Sequence, residues 1–197
     1  MIVIGLTGSI GMGKSTVAQM FSEEGAPAFN SDDVVHELYA RGGGAVAPVE
    51  AAFPGVARDG AIDRSALSAL LVDNPEAIKH LEAIVHPFVR QAQNAFLDRH
   101  RKAGVAAAVL DIPLLFESGG AERVDQIVVV SAGADVQRAR VMSRPGMSEE
   151  KFATLLSRQM PDAEKRARAD FVIDTSGEFD STRAQVRAVL DALREQS

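Results

Sequence analysis

Cysteine is absent from the 197 residues. That excludes disulfides and thiolate metal sites, and it is compatible with a reducing cytosol. No long basic run occurs, and the net charge is −6 with a pI of about 5.2. Nucleic acid is therefore not the expected partner, and an anionic ligand must be held by local positive charge against an unfavourable overall field. The four histidines (36, 80, 86 and 100) show no H-x-x-x-H spacing, which argues against a zinc site. No apolar stretch approaches the roughly 20 residues needed to span a bilayer. The short apolar run at the N-terminus has no basic segment before it and reads as a strand, not a signal peptide. The expectation is a cytoplasmic protein without a membrane partner. Hydrophobic residues at 46% and charged residues at 24% suit one globular domain with a sizeable core.

What is present is concentrated near the start. Gly8-Ser9-Ile10-Gly11-Met12-Gly13-Lys14-Ser15 reads G-x-x-x-x-G-K-S, the phosphate-binding loop. The glycines let the backbone approach a phosphate with no Cβ in the way, and its N–H groups form an anion-holding concavity. Lys14 can reach terminal phosphates, and the Ser15 hydroxyl can ligate Mg²⁺. The context is the one this motif requires. Ile2 to Thr7 is fit for a buried strand, and Ser15 to Glu24 carries Val17, Met20 and Phe21 on one helical face.

Further strands are expected at Ala26–Asn30, Val105–Leu110, Gln126–Ser131 and Phe171–Asp174. Residues 45 to about 103 read as helical without a strong strand, and Pro87 should break or kink the run after His86. Residues 144–168 are charge-rich with few large apolar groups, as in a mobile lid. Alternation of strands and helices implies an α/β fold with a mainly parallel sheet, whose ligands sit at the C-terminal ends of strands.

Several residues there could carry chemistry. Asp32 follows the second strand; it is either a proton acceptor for an attacking hydroxyl or, with Ser31, a helix cap. His36, one turn on, contacts substrate or is structural. Asp111 ends an apolar strand, as a carboxylate holding Mg²⁺ directly or through water does, or as a simple cap. Pro113-Leu114-Leu115-Phe116 walls a pocket or belongs to the core. Arg140 and Arg144 lie one turn apart before a Pro-Gly hinge; they reach phosphates from a lid or form a solvated face paired with Glu149, Glu150 or Asp135. Arg90, Arg158 and Lys165 are further cations.

Taken together, the blocks Gly5–Thr16, Asn30-Ser31-Asp32 with Val35-His36, Ile84-Val85-His86-Pro87-Phe88-Val89-Arg90, Asp111–Glu117, and Gln159 through Lys165 to Asp174 resemble one family, dephospho-CoA kinase. The resemblance runs in order over nearly the whole chain, and the H-P-x-V-R and D-I-P-L-L-F-E blocks are its specific part. It implies transfer of the ATP γ-phosphate to the ribose 3′-hydroxyl of dephospho-CoA with Mg²⁺, the last step of coenzyme A biosynthesis. It implies a P-loop kinase core with a five-stranded parallel sheet flanked by helices (1–32, 104–140 and 166–197), a helical CoA-binding insertion (33–103) and a helical lid (141–165).

By the same resemblance Asp32 is the base, and Lys14 and Arg140 stabilise the transferring phosphoryl group. ATP would meet Gly8, Gly11, Met12, Gly13, Lys14, Ser15, Thr16, Arg140 and Arg144. Dephospho-CoA would meet Asp32, His36, His86, Arg90, Pro113, Leu114 and Leu115. Ser15 and Asp111 would serve the metal. Two positions depart from the family pattern: Asn30 replaces the first Asp of D-A-D, and Thr175 stands where Asn is usual, near the expected adenine site. The competing readings are another small-molecule kinase, for a nucleoside monophosphate or a sugar, and a GTPase switch. The latter lacks its N-K-x-D motif, since no Lys follows an Asn. Oligomeric state is left open by the sequence.

Overall fold

The computed structural model describes residues 1–195. In chain order the elements are β1 (Ile2–Thr7), α1 (Lys14–Glu23), β2 (Ala28–Asn30), α2 (Ser31–Tyr39), α3 (Val46–Ala52), β3 (Ala57–Arg58), β4 (Ala61–Ile62), α4 (Arg64–Leu71), α5 (Pro75–Lys102), β5 (Ala107–Asp111), β6 (Gln126–Ser131), α6 (Ala134–Met142), α7 (Glu149–Ser157), α8 (Asp162–Ala167), β7 (Phe171–Asp174) and α9 (Phe179–Glu195). Chain contacts divide it into two compact units: Met1–Phe29 with the chain from His100 onward, and Asn30–Arg99.

The first unit is built on a five-stranded sheet of order β2-β5-β1-β6-β7. β1 pairs in parallel with both neighbours, Leu6 lying beside Asp111 on one side and Val128 on the other. β7 continues the sheet from β6, with Ser131 opposite Asp174. Strands buried on both faces need helices on both sides, and a run such as Val128-Val129-Val130, with no exposed surface at all, is the sequence signature of that. Ile4, Leu6, Val17, Phe21, Ile173, Val186 and Leu193 share one core. No described helix is long and apolar enough to cross a membrane.

The second unit has its own core around Tyr39, Val49, Phe53, Val56, Leu67 and Val85. The structure refines two sequence expectations here. Pro87 does not break α5, which runs 28 residues through it. A mid-helix proline costs roughly 3 kcal/mol, but Leu81, Ile84, Val85, Phe88 and Val89 all pack on this core. Val85 is buried and the other four partly so; full burial is worth about 1.5–3 kcal/mol per side chain, so even a fraction of that across the stripe offsets the cost of the proline. The stretch read as helical without a strong strand also contains a short antiparallel hairpin, Ala57 opposite Ile62 and Arg58 opposite Ala61. Its turn is Asp59-Gly60, both at positive φ (51° and 79°), as a two-residue mirror-image turn demands.

The charge-rich stretch 144–168 is firmly tied at its C-terminal end. Ser148 caps α7 as expected, but Lys165 on α8 is wholly buried, with Nζ 3.2 Å from Glu117 Oε1. Counting charges misreads such a lysine, because its partner makes burial tolerable. Burial alone would raise the Glu117 carboxyl. The N–H of Met160, Glu117's own N–H and the Lys165 ammonium together outweigh it and hold the group below its ordinary 4.5.

A carboxyl depressed in the folded state stabilises the fold above its unfolded pKa and loses that contribution as pH falls through the folded value. Glu117→Gln should thus cost about 3 kcal/mol at pH 7, the low end for breaking a buried pair because Glu117 keeps 21% exposure. The deficit against the parent should shrink as pH falls from 5 towards 3, checked by urea unfolding across that range.

Candidate active site

The loop between β1 and α1 takes its shape from two glycines. A Cβ on Gly8 would sit 2.6 Å from the Val130 carbonyl oxygen, so only glycine lets the loop leave β1 this close to β6. Gly13, at φ 85°, is the left-handed N-cap of α1. From there the backbone N–H groups of Gly13, Lys14, Ser15 and Thr16 make no hydrogen bond among the described residues. They are the orphan donors of a helix start, facing where the dipole favours an anion.

The loop tip is held by side chains from outside it. Gln137 Nε2 donates to the Ile10 carbonyl (2.8 Å), and the Ile10 N–H donates to Gln159 Oε1 (3.1 Å). Met12 is buried, although it also lines the cleft beside the loop. Its N–H turns inward to Ser9 O (3.2 Å), and its Sδ accepts from the Ala132 N–H (3.1 Å). Met12 therefore shapes the loop from inside the core and takes no part in the cradle of N–H groups.

Lys14 and Asp111 form an ion pair, with only 15% and 6% of their side chains exposed. The parallel register explains it: Asp111 ends β5, adjacent to the strand that feeds the loop. Asp111 is therefore the carboxylate partner of the loop lysine, not a strand-end cap. Ser15 is exposed in the first turn of α1. Among the described residues no cluster of three or more His, Cys, Asp or Glu could cage a metal. Mg²⁺ keeps several waters and takes one or two hard oxygen ligands beside phosphate oxygens; the Ser15 hydroxyl and the Asp111 carboxylate are donors of that chemistry.

Two clefts flank the loop. One, of about 390 Å³, is lined by residues 8–16 with Pro113, Arg144 and Gln159. The other, of about 190 Å³, is lined by Gly11, Gly13, Thr16, Arg140, Arg144 and Thr175 among others. Arg140 is not part of a solvated acid-paired face. Its Nη1 donates to Thr175 Oγ1 (2.9 Å) and its Nη2 to Thr175 O (2.6 Å). The acidic partner Glu149 is taken by Arg138 instead. Arg140 also helps hold the Asp174 carboxyl below its ordinary 3.8, behind hydrogen bonds from the Ser176 hydroxyl and N–H, which contribute most.

Leu115 is wholly buried, and a Cβ on Gly5 would come within 3.1 Å of it, so its side chain is core and unreachable by a ligand. Pro113 and Leu114 keep exposed surface. The first unit thus brings together Gly8, Gly11, Gly13, Lys14, Ser15, Thr16, Asp111, Pro113, Arg140 and Arg144.

Asp32, His36, His86 and Arg90 belong to the second unit. There the cap of α2 is Asn30, not Ser31 or Asp32: the Asp32 N–H donates to Asn30 Oδ1 (2.9 Å). Asn30 is a strong N-cap residue, and the exposed Asp32 carboxylate is left without a hydrogen bond or ion pair among the described residues. His36 is exposed one turn beyond Asp32. His86 and Arg90 stand one turn apart on α5, both exposed. Sequence reasoning missed Gln137, an unremarkable mid-helix residue. Gln159 was visible only as the start of a longer block, and Thr175 only as a departure from the family pattern.

A glycine-shaped anion cradle with lysine, serine hydroxyl and strand-end carboxylate, on a parallel sheet of this order, defines a P-loop kinase. A family model described as dephospho-CoA kinase matches residues 2–181. The chain belongs to the dephospho-CoA kinase family. It is 59% identical to a dephospho-CoA kinase of Rhizobium meliloti, covering 98% of this chain and 99% of that one. It is 58% identical to that of Mesorhizobium japonicum, over 100% and 98%. Among solved structures, the dephospho-CoA kinase from Campylobacter jejuni is similar with a TM-score of 0.73 and 26% identity, covering 98% of both chains.

Gly8→Ala tests the loop geometry. The added Cβ must push the loop off Val130, and displacement on the ångström scale costs about 100-fold. Single-turnover phosphoryl transfer should fall by about 10- to 100-fold.

Proposed function

We propose that the chain phosphorylates dephospho-CoA at its ribose 3′-hydroxyl, with ATP as donor, in coenzyme A biosynthesis. Family membership along nearly the whole chain is the observation that carries this reading. The cradle of N–H groups, the α1 dipole and Lys14 hold the donor phosphates, the part of the site with the strongest geometric support. Mg²⁺, with Ser15 and Asp111 as its protein-side oxygens, supplies charge neutralisation on the phosphates when bound. Arg140 and Arg144 bring further positive charge to the same loop. Phosphoryl transfer leaves the protein little covalent work, so positioning and charge neutralisation dominate.

Asp32 accepts the proton of the attacking 3′-hydroxyl. Support for this is its freedom from the capping role, which Asn30 fills, and its place two residues after β2 in the chain. His36, His86 and Arg90 are exposed on the unit Asn30–Arg99, which we read as the acceptor-binding part; Pro113 and Leu114 add apolar surface for the same substrate. Residues 141–165 form the lid, closing from the α6 end while Lys165 anchors the other. A cytoplasmic location accords with this metabolic role.

The test is Asp32→Asn. Single-turnover phosphoryl transfer should fall by about 10²- to 10⁴-fold, the usual contribution of a positioned base, with ATP affinity almost unchanged. Near-normal turnover would remove Asp32 as the base.

A further inference from the structure

Thr175 joins three things through one side chain. Its Oγ1 donates to the Met12 carbonyl at 2.7 Å and accepts from Arg140 Nη1 at 2.9 Å; the Ser131 carbonyl lies further off, at 3.4 Å. A hydroxyl has one proton to give, and the shorter contact assigns it to Met12. The backbone of the same residue completes the grip. Its carbonyl accepts from Arg140 Nη2 at 2.6 Å, and its N–H donates to Ser131 O at 2.9 Å, fixing Thr175 to the end of β6. Thr175 is only 5% exposed. A Cβ on Gly13 would stand 3.3 Å from Thr175 Oγ1 and 3.6 Å from Arg140 Nη1, so the guanidinium rests against the phosphate loop.

We propose that Thr175 is a positioning residue for phosphoryl transfer. Its hydroxyl, shared between the Met12 carbonyl and Arg140, sets the guanidinium against the loop at a fixed angle. The proposal rests on the reading of Arg140 as a phosphate-stabilising cation. A guanidinium has five N–H donors. Thr175 takes two from one side of the fork and leaves three for phosphate oxygens. The residue that departs from the family pattern thereby does a defined job: threonine offers one short donor–acceptor oxygen, and the arginine arriving from α6 closes on it.

The experiment is a double-mutant cycle with a rescue arm. Thr175→Val keeps shape and removes the hydroxyl; Thr175→Ser keeps the hydroxyl. T175V should lower kcat by about 10- to 100-fold, the cost of misplacing one group, with a smaller change in the ATP dissociation constant, and T175S should stay within about threefold of the parent. In an Arg140→Ala background, T175V should cost less than about twofold further. Thr175→Ala is run alongside, with thermal unfolding of every variant, so that a poorly folded protein does not decide the result. If T175V costs as much without Arg140 as with it, the hydroxyl serves only the loop and the proposal falls. If T175V is near-normal while R140A is strongly impaired, the proposal falls and the reading of Arg140 stands. If R140A itself is near-normal, the reading of Arg140 falls and takes the proposal with it.

Discussion

The parallel pairing of β1 with β5 is the constraint on which the rest of the first unit depends. It sets Leu6 beside Asp111 and so delivers a carboxylate to the root of the phosphate loop. Lys14 is then held by an ion pair in a place where an unpaired ammonium would be costly. On the other side of β1, pairing with β6 brings the Val130 carbonyl so near the loop that residue 8 has to be glycine. The same strand ends at Ser131, to which Thr175 is tied, and through Thr175 Arg140. A chain of ladder and side-chain hydrogen bonds thus runs across four adjacent strand ends, β5, β1, β6 and β7. The positive groups are fixed by the sheet instead of being left to find a phosphate.

Much of this was legible in the residues. β1, β6 and β7 could be read to the residue, because runs such as Gln126–Ser131 are short, apolar and bounded by turn signals. The loop was legible because its chemistry needs particular residue types at fixed spacing. Asp59-Gly60 was equally readable as a hairpin turn, but the helical patterns on either side obscured it. Pro87 misled because local propensity was weighed without the apolar stripe that overrides it. The misread site residues share one cause: exposure is decided in three dimensions. Leu115 and Lys165 vanish into the interior, and Met12 turns its N–H inward, though nothing in their immediate sequence separates them from neighbours that do face solvent. Asn30 looked like a lost charge and is a helix cap, a role that frees the carboxylate two residues on.

The donor and acceptor halves of the reaction therefore have different physical standing. For the donor, the loop glycines, Lys14, Ser15 and Asp111 lie together in the first unit, with Lys14 and Asp111 ion-paired. The acceptor half rests on family membership and on exposed polar groups of the second unit, Asp32, His36, His86 and Arg90. The small-molecule-kinase alternative shares the donor half in full, so only the acceptor separates the two. A coupled assay of ADP release with dephospho-CoA, AMP, adenosine and shikimate as acceptors, in ATP and Mg²⁺, makes that separation directly. The account predicts ADP release that depends on dephospho-CoA and is near background with the other three. Release supported by AMP, adenosine or shikimate and not by dephospho-CoA would contradict it.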